Sequence, residues 1–459
     1  MKKNYKNFIY TTLIIGAGFT VSSCKKFVEL GAPPTQISFD DAFKTDASAQ
    51  SVVMGIYTLS SAGVNGFLTH VTFYPGISGD DVQYNGTDAG VQEFSKNALL
   101  STNGFVNNTW GNLYPLIKNA NNAVSGITSS TTLTASTKAQ LLGEAKFLRA
   151  YFYFYAVNLF GDVPLPLKDD YSAFENAALP RTPSAQVYAQ IIKDLTEAQA
   201  ALPNAYIGTF RGRANKLAAT ALLARVYLYQ KDYANAEAQA TQVINAGTYS
   251  LPAPELAFIN SSNEIIWQIG NLTGVSVPGN GYVSAATSIP AYSLADGTYQ
   301  SFESTTDLRR ANWTSTKTLG GKTYYSITKY KIGSGTGNEY NVALRLAEQY
   351  LIRAEARAQQ NNLSGAKTDL DIVRARAGLA GVSATLTQAQ MLSAVEQERK
   401  MELFGEWGHR WLDLKRTNRA DAVLGALRPT TWKTTSVLYP VPDAQRLINT
   451  ALTQNPGYN

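Results

Sequence analysis

The chain reads as a mainly α protein, built of stacked helix pairs that carry a loop-rich face with a few short strands. Three observations predict this. Apolar residues recur at helical spacing over most of the 459 residues. A helix-turn-helix segment occurs twice. Two long stretches, mainly 63–109 and 250–340, break the helical pattern and are rich in Gly, Asn, Thr, Ser and aromatics.

The elements follow in chain order. Ala32-Pro-Pro-Thr35 is a linker, and Phe39 to Ser60 has helical spacing. Gly63 to Thr109 shows almost no helical period. Trp110, Leu113, Tyr114, Ile117, Ala120 and Val124 then share one helix face. Gly143–Leu165 is apolar nearly all round, which marks a helix buried on several sides and stopped by Gly161 and Pro164. Pro183 to Leu202 is amphipathic and begins with proline in its first turn.

Leu222–Ala240 and Leu351–Leu370 form the internal repeat. Ala224 and Ala236 are separated by the same interval as Ala354 and Ala366, and each helix ends in a polar turn before a second begins near Tyr233 or Leu363. Small residues at these places let two helices approach closely, as in tetratricopeptide repeats. Tyr227 fits the aromatic position of that pattern, whereas Arg357 replaces it in the second copy. Between the copies, Glu264–Ile269 and Lys322–Tyr330 read as short strands. Gln388–Phe404 is the last long helix, followed by Glu406–Arg416 and the terminal Asn-Pro-Gly-Tyr-Asn.

Charged residues are only 16% of the chain, against about 25% usually. That shortage suits a protein that holds neutral, hydroxyl-rich ligands. The formal charge of +6 (40 minus 34) includes Lys2, Lys3 and Lys6, and without them the balance is 37 minus 34, or +3. The remaining Lys and Arg are scattered, so no nucleic-acid partner is expected. One cysteine and two histidines exclude a structural zinc site, which needs about four ligands.

The N-terminus is an address. A basic start precedes an apolar run of 14 residues, Phe8 to Val21, which is the length of a signal-peptide core. It ends in Val21-Ser22-Ser23-Cys24, small residues before the only cysteine. This resembles a bacterial lipoprotein box. The resemblance implies a signal peptide over 1–23, a lipid anchor on acylated Cys24 and a linker over 24–38. The remainder, 39–459, is expected to be a single domain.

Catalytic signatures are missing. There is no GxSxG, HExxH or GxxxxGK[ST] motif. Asp80-Asp81 and Asp169-Asp170 are adjacent carboxylates, but adjacency does not supply the facing geometry of a glycosidase. His409 reads as a packed, hydrogen-bonded histidine, while His70 borders a polar loop. Asp81-Val-Gln-Tyr-Asn85-Gly86 resembles a calcium loop, but Gln83 and Gln92 stand where acids are needed, so a polar turn is expected rather than a structural calcium ion. No enzyme activity and no cofactor are expected.

The loops instead supply flat aromatics and polar groups suited to sugars, which have apolar faces and dense hydroxyls. Asp81, Tyr84, Asn85, Tyr292, Arg309, Trp313 and Tyr325 are the expected ligand residues, with Tyr74, Tyr299 and Asn312 nearby in the same stretches. Trp313 is expected to anchor ligand, so that its removal weakens binding and spares the fold.

Taken together, the lipobox, Gly143–Leu165, Arg211–Ile244, Leu344–Gln359, Glu396–Arg416 and the terminal Asn-Pro-Gly-Tyr-Asn resemble the SusD/RagB family of Bacteroidetes nutrient-binding lipoproteins. The resemblance implies outer-membrane anchoring through Cys24, facing the cell exterior. It implies a SusC-like TonB-dependent transporter as partner, over which the protein sits as a lid. An oligosaccharide is the expected ligand. A peptide importer's lid and a tetratricopeptide-type protein-binding scaffold are the alternatives.

Overall fold

The computed structural model describes residues 38–61, 66–167, 175, 178–208 and 210–458. The signal peptide, Cys24 and Asp169-Asp170 lie outside the described residues. The helices of eight residues or more are α1 (Asp46–Ser60), α2 (Phe67–Ser78), α3 (Ala89–Lys96), α4 (Gly104–Ser129), α5 (Ala135–Phe160), α6 (Ser184–Ala201), α7 (Lys216–Tyr229), α8 (Tyr233–Asn245), α9 (Leu346–Gln359), α10 (Leu363–Arg376), α11 (Gln388–Leu403), α12 (His409–Arg416) and α13 (Ala420–Leu427). The strands are β1 (Val82–Tyr84), β2 (Ile265–Ile269), β3 (Tyr292–Leu294), β4 (Thr314–Leu319), β5 (Lys322–Ile327) and β6 (Asn341–Arg345).

Side-chain caps set the helix starts. Asn103, Thr134, Asn215, Asp232 and Asn362 each accept a backbone N–H of the helix they precede. Thr45 and Thr387 form reciprocal capping boxes with Ser48 and Gln390. The Thr45 box explains why the continuous pattern of Phe39 to Ser60 is in fact two helices, Phe39–Ala42 and α1.

Each scaffold helix packs on its chain neighbour, α4 on α5, α5 on α6, α6 on α7, α7 on α8, α8 on α9 and α9 on α10 and α11. This is the expected solenoid of helix pairs. The repeat is exact at the backbone over an offset of 130 residues. Lys231 and Asn361 both adopt left-handed φ, of 58° and 61°. Asp232 N donates to Tyr227 O, and Asn362 N to Arg357 O. Ala224, Ala236, Ala354 and Ala366 are all fully buried. Arg357, which breaks the aromatic pattern, reaches Glu237 of α8 at 2.8 Å and Asp369 of α10 at 2.9 Å. An ion pair thus replaces an aromatic contact between repeats.

Buried arginines tie the layers together. Arg149 of α5 makes a two-pronged bond to Asp194 of α6 and donates to Asn121 of α4. Arg225 of α7 holds Glu348 of α9, and Arg353 of α9 holds Asp369 of α10. The second half of helix α5 is apolar nearly all round because α1, α2, α4, α6 and the β2 strand pack about the helix. Its Phe152 and Tyr155 meet Phe67 edge-on, and its Phe147 and Tyr151 meet Trp267. Helix α2 corrects the loop expectation for 63–109. Every residue from Phe67 to Ser78 is buried, so it has no polar face and no helical period to read.

The two loop-rich stretches are not independent. One antiparallel sheet runs in the order β1-β3-β5-β4, and β1 from the first stretch pairs with β3 from the second, Tyr84 opposite Tyr292. A second antiparallel pair, β2 with β6, is buried along its whole length and joins the second stretch to the start of α9.

Candidate functional site

Pairing of β2 with β6 sets two loops side by side at their ends, Gly270–Val277 after β2 and Ser334–Tyr340 before β6. Together with the C-terminal end of α1 and the segment at Phe210–Gly212, they enclose an open cavity of about 810 Å³. That is within the range of small-ligand sites. The loops brace one another. Gly337 N donates to Thr273 O and Glu339 N to Gly274 O, both at 2.8 Å. Gly274 has φ of 67°, and a methyl group there would run into the carbonyl of Gly337, so the close approach requires glycine. Asn271 folds back on its own loop, its Oδ1 accepting from Gly274 N at 2.7 Å.

The cavity walls are apolar and neutral-polar. Phe210 and Tyr340 meet edge-on with centroids 5.4 Å apart, and Phe210 is 44% exposed. Leu272 stands fully in solvent on the rim. None of the fifteen described lining residues is charged. Neighbouring charges are engaged elsewhere. Arg211 spends its guanidinium on the carbonyls of Ser262, Asn263 and Ile265 and lies over the rings of Tyr206 and Tyr249. The Glu339 carboxylate accepts the backbone N–H groups of Lys331 and Ile332.

The sequence-predicted residues divide between two other places. Tyr84, Asn85, Tyr292 and Tyr325 come together on the four-stranded sheet, at its half-buried outer part. Much of their aromatic surface is already covered. Tyr292 stacks on Phe73 at 4.4 Å and meets Tyr84 at 5.4 Å. Tyr299 stacks on Tyr325 at 3.8 Å, and Arg310 covers it at 4.7 Å. The Asn85 amide is held by Pro290 O and Ser293 Oγ. The short helix Val277–Tyr282 offers Val277 and Asn280 to the cavity, while its Gly281 and Tyr282 pack on Phe73 behind Tyr292.

Arg309, Trp313 and Asp81 belong to the core, which corrects the expectation that they face ligand. Trp313 is 1% exposed and lies among Lys329, Arg345 and Arg376, whose cationic groups are 4.6–5.9 Å from its ring. Arg309 is fully buried and bonded to Asp307, Glu398 and Glu402. Arg345 completes this network with Glu264, Glu402 and Glu406. Burial alone would raise the Glu402 carboxyl, but Arg376, Arg345, Arg309 and Lys329 outweigh it and hold the group far below the usual carboxylate range. Asp81 is buried, accepts from Gly405 N at 3.0 Å, and is pushed up to about 6 by burial and by Asp80. Asp80 itself is paired with Arg410 and Lys400. The two carboxylates therefore do not face a common site.

Both histidines are interior. His70 Nδ1 is 2.7 Å from Thr109 Oγ1. His409 is buried, and burial followed by the nearby Arg225 and Arg399 holds its imidazole well below the usual value, so it is neutral. Asp81 and Asn85 diverge, one to Gly405 and the other to Pro290, so the segment does not close as a calcium loop. Among the described residues no group of three or more His, Cys, Asp or Glu is placed to hold a metal ion. None of the described helices is long and apolar enough to cross a membrane.

Eleven of the fifteen described lining residues fall in the loop-rich stretch 250–340, but the sequence singles out none of them, because the walls come from four separated segments, each of Gly, Thr, Ser, Asn and isolated apolar residues. Phe210, between Gly208 and Gly212, lies outside that stretch.

Comparison with known proteins places this geometry. The SusD family model matches residues 272–458, and a related model described as starch-binding associating with outer membrane matches residues 69–228. SusD-like protein P2 of Formosa agariphila is 27% identical across 100% of both chains. A SusD superfamily protein from Bacteroides vulgatus superposes with a TM-score of 0.81 at 20% identity, over 91% of this chain and 100% of that one. A laminarin-binding SusD-like protein superposes with a TM-score of 0.76 at 25% identity, over 90% of this chain and 100% of that one. The two models match on either side of residues 229–271 and the full-length relative spans both, so the chain belongs to the SusD family.

Proposed function

We propose that the protein is a cell-surface lipoprotein that captures an oligosaccharide in the 810 Å³ cavity and hands it to a SusC-like TonB-dependent transporter, over which it acts as a lid. The observation that carries this reading is the cavity itself. It joins an aromatic pair, amide and hydroxyl side chains and exposed backbone on rigid, cross-braced loops, the composition that binds sugar faces and hydroxyls. The family model that associates this fold with starch binding and the outer membrane supports it. The laminarin-binding relative makes β-glucan oligosaccharides the first candidates. Cys24, once acylated, anchors the chain, residues 1–23 are its signal peptide, and 39–459 act as one unit. Catalysis is no part of the reading. The half-buried tyrosines Tyr84, Tyr292 and Tyr325, with Asn85, form the outer edge of the binding face.

Calorimetry of the mature protein against laminari-, malto- and manno-oligosaccharides, with a peptide mixture as control, tests the ligand class. Binding of at least one glycan, without product formation, is expected. Peptide binding with no glycan binding would overturn it. Co-purification with a barrel transporter from outer membranes tests the partnership.

A further inference from the structure

We infer that the cavity selects uncharged glycans and rejects those bearing uronate or sulfate groups on the same backbone. This rests on the reading of the cavity as the glycan site. Three observations carry it. The described lining residues include no Asp, Glu, Lys, Arg or His. The residues adjoining the lining in sequence at Ala62–Asn65 and Thr209 are also uncharged. The three charged residues next to the lining in sequence are engaged elsewhere: Arg211 Nη1 donates to backbone carbonyls, Arg213 pairs with Glu144, and the Glu339 carboxylate accepts backbone N–H groups.

An anion entering such a site loses water and meets no counter-charge. A desolvated charge without a partner is strongly penalised, whereas a hydroxyl needs only an amide, hydroxyl or carbonyl partner. Asn271, Thr273, Asn280 and Ser334 supply neutral groups of that kind. The low charge of the chain does not explain the selection. Glu264, Arg309, Arg345, Glu402 and Glu406, each of them in an ion pair, show that the interior is dense in charge. Neutrality is a property of the cavity wall, not of the protein as a whole.

The test pairs each neutral laminari-, malto- and manno-oligosaccharide with its C6-oxidised, uronate-bearing counterpart in calorimetry. The expected result is binding of at least one neutral glycan and at least tenfold weaker binding of its oxidised partner. Leu272→Lys, on the exposed rim, should narrow that ratio at least threefold at low salt by supplying the missing cation. Equal or tighter binding of the oxidised partner by the wild-type chain would overturn the selectivity while leaving glycan binding intact. Binding of no glycan in either form would overturn the underlying reading, and this inference with it.

Discussion

The indole N–H of Trp313 donates to the backbone carbonyl of Pro254 at 2.8 Å. That bond fixes the short helix Leu308–Trp313 against the 3-10 turn Pro254–Leu256 and places the indole at the centre of the buried arginine and lysine cluster. The ring is therefore a structural element. Trp313→Ala should lower unfolding stability by about 3–5 kcal/mol, the usual cost of emptying a buried aromatic site. Urea denaturation measures it. Unchanged stability with lost glycan affinity would return Trp313 to the binding face.

Arg345 is the hub of the same cluster. Its guanidinium donates to Glu264, Glu402 and Glu406 and to the carbonyl of Glu402, at 2.6–2.9 Å. Arg345→Met takes the shared cation from three buried carboxylates, leaving Glu264 to Arg376, Glu402 to Arg309 and Arg376, and Glu406 to Lys329, and should cost about 3–5 kcal/mol. Chemical denaturation at pH 7 measures it.

The scaffold was legible because its signals are local. The alanine spacing in Leu222–Ala240 and Leu351–Leu370 encodes close helix approach, and Gly161 encodes the end of α5 through its φ of 74°. Arg309 and Trp313 were misread because a polar, loop-like run, Asp307-Leu-Arg-Arg-Ala-Asn-Trp313, looks solvent-facing until its partners are known. Those partners, Glu398 and Glu402, lie about ninety residues away on α11. Binary patterning fails where charge is buried in pairs. The cavity was legible only as part of the loop-rich stretch 250–340, not as a shape. Its shape depends on β2 pairing with β6, a contact across more than seventy residues that no periodicity records.

Asp81 carries a pH dependence of definite sign. Its folded value is about 6 against an ordinary 3.8, because burial and then the neighbouring Asp80 disfavour its charge. Below pH 3.8 it is protonated in both states and the ionisation costs nothing. As pH rises from about 4 through 6, the folded state loses a proton it holds more tightly than the unfolded state, and stability falls. Asp81→Asn should therefore raise Tm at pH 7.5, with the gain disappearing below about pH 4. The amide oxygen can still accept from Gly405 N. A gain that persists unchanged at pH 3.5 would show that Asp81 titrates normally.

Gly281 links the cavity wall to the tyrosine cluster. A methyl group on it would overlap the Phe73 ring, which stacks on Tyr292. Gly281→Ala should cost about 1–3 kcal/mol through overpacking. It should also alter glycan affinity, since Val277 and Asn280 on the same helix line the cavity. Tyrosine fluorescence and calorimetry on the folded variant check the two effects together. A stability loss with wholly unchanged affinity would separate the helix from the site.

The sharpest comparison is between the two aromatic groups. Phe210 is 44% exposed and touches Tyr340 at the cavity edge, so truncating it removes contact surface without opening the core. Tyr325 is half-buried, with one face already taken by Tyr299. Phe210→Ala should weaken glycan binding by about 1–2 kcal/mol, roughly 5–30-fold, with Tm unchanged. Tyr325→Ala should have a smaller effect on binding and should lower Tm through loss of the Tyr299 stack. Calorimetry and thermal denaturation on both variants decide between cavity and sheet. If Tyr325→Ala costs more affinity than Phe210→Ala, the ligand lies across the tyrosines of the sheet, and the cavity serves some other purpose.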